Sequence, residues 1–161
     1  MAERNSSYER MDRDTYVTPQ WVFDALLEVE KFPNGWFDAA PVDATFDFLQ
    51  MTEHKDAIVT NPPYFLAREF VEHALTLTEH RIGKVAMLLP MAWDTAKGRT
   101  KLFAYPFKAK YTITRRIRWD NLEQKAAGPS MNHAWLVWDW SIDINRVPTM
   151  GWLPLTLAVY E

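Results

Sequence analysis

Four consecutive residues, Asn61-Pro62-Pro63-Tyr64, hold the side-chain types best suited to chemistry, directly after the strand-like run Ala57-Ile58-Val59-Thr60. An amide, a carbonyl with no competing N–H beside it and a flat ring together suit the capture of an exocyclic amino group. The Asn61 oxygen and the Pro62 carbonyl can accept the two protons of an NH2, and Tyr64 can stack on the ring that carries it. A base turned out of a duplex is held in this way. The two prolines remove two backbone donors and fix φ, which stiffens the loop. Asn61, standing before a proline, is pushed into an extended conformation that aims its amide away from the strand end. The plain alternative is a Pro-Pro turn closing a core strand; the amide and the ring on either side favour the site.

The elements that must position this tetrapeptide lie on both sides of it. Ala57-Ile58-Val59 reads as a short strand covered on both faces. After Tyr64, Leu66, Phe70 and Ala74 form one helical row and Ala67, Val71 and Leu75 the next, with Arg68, Glu69, Glu72 and His73 on the polar face. Lys84 to Pro90 is a second buried strand, so strand, helix and strand form a parallel unit. Upstream, Thr18 is expected to cap a helix whose first residue is Pro19. Trp36 to Pro41 reads as a first strand with Asp38, Ala39 and Ala40 at its carboxyl end, the edge where open α/β sheets bind ligands. Downstream, Asp94 can cap a helix over about 95–105, and Trp93 can line the site or the core. Tyr111 to Trp119 and His133 to Trp140 read as an antiparallel strand pair. The tail, with Pro148, Gly151 and Pro154, is expected to wrap the surface. Residues 1–13 read as a flexible arm, and 14–161 as one domain.

Hydrophobic residues make up 48% of the 161 positions and aromatic residues 14%, enough for one core. No apolar run of about 18 residues occurs, so no membrane span is expected, and residues 1–13 lack the apolar stretch of a signal peptide. Absence of cysteine excludes disulfides, thiolate catalysis and Cys-ligated zinc; a cytoplasmic protein is the simplest expectation. His54, His73, His80 and His133 do not stand at metal-ligand spacing. No Walker loop or nucleophile elbow is present. Metal, phosphoryl-transfer and hydrolytic chemistry therefore have no carrier in the sequence. Between positions 97 and 118 stand eight cations and no acid. That window carries +8 of a net charge of −3, so the remainder carries −11. Lys97, Arg99, Lys101, Arg115, Arg116 and Arg118 are the resulting candidates for a polyanion face, against the plain reading of a solvated surface.

Asn61-Pro62-Pro63-Tyr64 resembles the catalytic motif of the amino-group DNA methyltransferases, most of all the short phage-type adenine-N6 enzymes. Thr18-Pro19 and Phe37-Asp38-Ala39-Ala40 fall where that family has its preceding motifs, and the resemblance covers roughly residues 14 to 140. It implies an α/β, single Rossmann-like methyltransferase domain with a reduced, mostly parallel sheet and helices on both faces. It implies S-adenosylmethionine as cofactor and an adenine-containing DNA duplex as partner. Asn61, Pro62 and Tyr64 would be catalytic. Thr18, Pro19, Asp38, Ala39, Asp47, Phe48 and Asn61 would meet the cofactor, with Asp38 on its methionine part, Asp47 on its adenine amino group and Phe48 against its ring. The chain departs from the pattern in two ways. No Gly-x-Gly follows Ala40, and only positions 41–60 separate the two putative ligand edges, short of the roughly 30 residues a helix-strand module needs.

Two other functions stay open at this level. One is a catalytically degenerate, methyltransferase-like module that binds DNA or protein. The other is transfer to a different amine, such as cytosine-N4, RNA adenine or a glutamine side chain. Target sequence and oligomeric state are not encoded legibly.

Overall fold

A computed structural model describes residues 17–39, 47–119 and 131–155. The arm expected over 1–13, the segment after Ala39 in which the glycine motif is missing, and the polar loop with Gly128-Pro129 lie outside the described residues.

The elements are α1 (Gln20–Leu27), β1 (Ala57–Thr60), α2 (Ala67–Glu79), β2 (Lys84–Pro90), β3 (Phe107–Ile113), β4 (His133–Asp139) and β5 (Thr149–Leu153). They form an α/β fold around one open sheet of order β1-β2-β4-β3-β5. β1 pairs with β2 and β3 with β5 in parallel, while β4 runs antiparallel between β2 and β3. Four of the five strands thus share one direction, which puts the carboxyl ends of β1, β2 and β3 beside the amino end of β4. The expected antiparallel pair is β3 with β4.

Alternation along the strands builds two cores. Ile58, Val85, Met87, Leu89, Leu136 and Trp138 face α2 through Phe70, Val71 and Leu75. Val59, Ala86, Leu88, Trp135 and Val137 face α1 through Val22, Ala25 and Leu26. Side chains that alternate across a pleat require a layer on each face, so helices cover both. Tryptophan fastens each layer. Trp135 Nε1 donates to the Val22 carbonyl at 3.0 Å, and Trp138 Nε1 to that of Leu102 at 2.9 Å. Buried indole N–H groups need such partners.

Beneath the amino ends of β2 and β3, Glu30 is 1% exposed. Its carboxylate accepts from Lys84 Nζ at 2.7 Å, Lys108 Nζ at 2.9 Å and the Tyr111 hydroxyl at 2.9 Å. Burial alone would lower the Lys108 pKa, but Glu30 and Asp139 outweigh it and raise it. Burial, then the Glu30 charge, pushes Tyr111 well above the usual phenol range. This network ties the segment after α1 to the sheet.

Several elements differ from expectation. Pro19 is the N-cap of α1, with no side-chain cap bond, so Thr18 does not cap. The first strand contracts, within the described residues, to one parallel bridge between Phe37 and Ile58. Asp94 spends its carboxylate on Lys110 Nζ at 2.8 and 2.9 Å rather than on a cap. Two 3-10 helices, Trp93–Thr95 and Lys97–Ala104, replace the expected α-helix, parted by extended Ala96. β3 starts at Phe107 because Lys108 finds buried Glu30 and Lys110 finds half-buried Asp94. It ends at Ile113, where Thr114 N–H bonds the Leu153 carbonyl at 2.9 Å. The tail, expected as a surface wrap, supplies strand β5. Gly151 makes this possible: a Cβ there would stand 2.8 Å from Cδ1 of Tyr111.

Candidate active site

Asn61 begins where β1 ends, and the tetrapeptide turns directly into the 3-10 helix Tyr64–Leu66 that leads to α2. Pro62 is buried, whereas Asn61 and Tyr64 are half-buried. The Asn61 Oδ1 atom itself is buried and has no hydrogen-bond partner. Only two other buried side-chain polar atoms among the described residues share that condition, Trp93 Nε1 and His133 Nδ1. All three belong to residues at or just beyond the same sheet edge. Buried polar groups are nearly always paired in folded proteins, so three such atoms at one edge mark it as the candidate site.

The Tyr64 hydroxyl lies 2.5 Å from His133 Nε2, with ring centroids 5.8 Å apart. His133 opens β4 opposite Pro90 and is 2% exposed. Burial pushes its imidazole down to about 4, against an opposing contribution from the Met131 backbone. The ring is therefore neutral at pH 7. Trp119 meets it edge-on at 5.4 Å. No metal-ligand spacing surrounds His133 in the sequence. Its one signal is being the sole polar residue opening the run Ala134-Trp135-Leu136-Val137-Trp138.

Next to Asn61, the Thr60 hydroxyl donates to Asp38 Oδ1 at 2.7 Å. Asp38 is exposed and Ala39 is buried, so the bridge at Phe37 brings the expected methionine-side carboxylate beside the expected catalytic amide. Asp47 is exposed and caps the 3-10 helix Phe48–Gln50 through the Leu49 N–H at 3.0 Å. Phe48 joins the core at the start of that 3-10 helix. It is 1% exposed and packs on Phe70 with centroids 4.9 Å apart, because apolar α2 offers it a full core contact. Thr18 and Pro19 lie half-buried at the start of α1, on the opposite sheet face from α2.

The basic window does not form one face. Lys108 and Lys110 are consumed by Glu30 and Asp94. The 3-10 helix bearing Lys97, Arg99 and Lys101 packs Leu102 and Phe103 into the α2-side core. Arg99 lies over the Trp93 ring at 4.5 Å and bonds the Trp93 carbonyl at 2.5 Å. Arg115 instead lies over Trp21 at 5.2 Å, on the α1 side. Arg116 reaches Asn132 Oδ1 at 3.1 Å, beside His133, and Arg118 is exposed. Arg116 thus stands beside the Tyr64–His133 corner through Asn132, and Arg118 precedes Trp119, whose ring meets His133. Cavities of about 250 and 400 Å³ open at the other end of β1, around Ala57 and Arg81.

No protein-family model and no curated protein matches the chain. Among solved structures it is similar to a protein of Listeria monocytogenes assigned as a class I S-adenosylmethionine-dependent methyltransferase. The TM-score is 0.37 and the identity 15%, over 66% of this chain and 40% of that one. The matched region is thus under half of that protein's length.

Proposed function

We propose that the chain transfers the methyl group of S-adenosylmethionine to the exocyclic N6 amine of adenine in DNA. The observation that carries this reading is the buried, unpartnered Asn61 Oδ1 at the strand edge. An acceptor held dry and unpaired costs stability; a substrate amine would supply its missing donor.

The residues present fit the cofactor at its amino-acid end. Asp38 offers an exposed carboxylate to an ammonium group, and buried Ala39 adds no bulk there. At the adenine end only Asp47 is exposed, since Phe48 belongs to the core. When bound, S-adenosylmethionine supplies an electrophilic methyl group. The chain's own part is to prepare the nucleophile. The lone pair of an adenine amine is delocalised into its ring. Asn61 Oδ1 and the Pro62 carbonyl, each accepting one N–H, favour a tetrahedral nitrogen with its lone pair directed outward. Tyr64 stacks on the base, a contact of about 1–3 kcal/mol. The stiffness of Pro62-Pro63 holds these groups in place, and such positioning lowers the barrier by pre-ordering the reactants. Loss of the proton follows transfer and needs no dedicated base. Arg116 and Arg118 at the rim would hold phosphates and set register.

The burial of Phe48 favours one second reading, a module of this fold that binds without turnover. Calorimetry with S-adenosylmethionine, followed by labelled-methyl transfer to unmethylated duplex DNA, separates the two. Transfer to adenine supports the enzyme. Absence of cofactor binding leaves the binding module.

A further inference from the structure

Resting on the methyl-transfer reading above, we propose that His133 is a positioning residue that sets the Tyr64 ring at the tilt needed to stack on the acceptor base. Tyr64 stands in a single 3-10 turn and is half-buried, so its ring needs an anchor beyond its own backbone. The hydroxyl supplies one, 2.5 Å from His133 Nε2, in a residue 69 positions away on β4. The anchor is itself clamped. Trp119 backs the imidazole at 5.4 Å. The preceding Asn132 carbonyl takes the Met91 N–H at 3.0 Å, which fixes the start of β4 against the end of β2.

The direction of the bond matters. With the imidazole neutral and Nδ1 protonated, Nε2 accepts and the Tyr64 hydroxyl donates. The hydroxyl proton is then occupied and cannot compete for the ring nitrogens of a bound base. Asn61 and Pro62 are left as the groups that meet the amine. His133 touches neither substrate nor cofactor in this scheme; it acts through Tyr64.

The test compares wild type, His133→Leu, His133→Gln, Tyr64→Phe and the His133→Leu/Tyr64→Phe double variant. Labelled-methyl transfer to an adenine-containing duplex is measured, with urea unfolding to confirm folding. His133→Leu and Tyr64→Phe should each lower kcat by about 10- to 100-fold, with KM for S-adenosylmethionine unchanged. The double variant should be no slower than either single one, and His133→Gln, whose amide can replace Nε2, should recover part of the loss. His133→Leu turning over like wild type, or losses that multiply in the double variant, would overturn the positioning role. Histidine nitrogen NMR on wild type reads the same bond without substrate. A neutral, Nδ1-protonated ring at pH 7 is expected, and a ring protonated at Nε2 overturns the proposal whatever the activity. Wild type that transfers no methyl group while showing the expected tautomer instead sinks the methyl-transfer reading, and the stacking role with it.

Discussion

Thr60 Oγ1 donates to Asp38 Oδ1 at 2.7 Å, joining two residues 22 positions apart at the ends of neighbouring parallel segments. The bond links the carboxylate that would meet a cofactor to the strand that delivers Asn61. In an open α/β sheet the carboxyl edge is where ligands collect, and the bond stitches the two halves of that edge together.

Asn61→Ala should not destabilise the fold. Its oxygen is buried without a partner, and deleting an unsatisfied acceptor returns up to about 1–3 kcal/mol. Urea unfolding should give an unchanged or higher midpoint. A fall of several kcal/mol would mean that Asn61 is structural.

His133 makes stability pH-dependent in a set direction. Burial lowers its folded pKa to about 4 from the usual 6.5, so the unfolded chain binds the proton more tightly. Stability is complete above about pH 6.5 and declines as pH falls toward 4, by about 3 kcal/mol for this residue. Unfolding at pH 7 and pH 4.5 measures it. His133→Leu should show a shallower decline over that interval, and an identical one would exclude His133 as its source.

Glu30→Ala should cost about 3–5 kcal/mol, because it leaves half-buried Lys84 and Lys108 beside a missing charge. Asp139, at 3.7 and 3.5 Å from the two ammonium groups, holds the loss toward the lower end. A neutral outcome in denaturant titration would show that these lysines rotate freely into water.

Gly151→Ala tests the edge strand. The added methyl meets the Tyr111 ring at 2.8 Å, and that ring is anchored by Glu30. A loss of about 1–3 kcal/mol is expected. Full stability would mean that β5 shifts without cost.

Salt dependence separates the rim from the interior cations. If Arg116 and Arg118 hold phosphates, each alanine variant should flatten the dependence of DNA affinity on log salt by about 0.9. Lys108→Met should leave that slope alone, since Lys108 is paired with Glu30. A slope unchanged by both arginine variants would remove the rim from DNA binding.

Much of this architecture was legible in short-range pattern. The apolar run before Asn61, the two helical rows after Tyr64 and the strand Lys84–Pro90 each follow from local periodicity. What stayed hidden depends on partners far along the chain. Lys108 and Lys110 read as surface charge until Glu30 and Asp94 meet them across the fold. His133 read as an isolated histidine until Tyr64 arrived from 69 positions away. Nothing local to Phe48 revealed that it would pack on Phe70. The tail hid β5 between two prolines, since its strand forms only by adding to β3.

The most direct measurement is labelled-methyl transfer from S-adenosylmethionine to an unmethylated, adenine-containing duplex by wild type and Asn61→Ala side by side. The account predicts N6-methyladenine from wild type and a loss of about 100-fold or more in the variant, the scale on which a preorganised polar group acts. Equal turnover by both proteins, or label on no adenine at all, would contradict it.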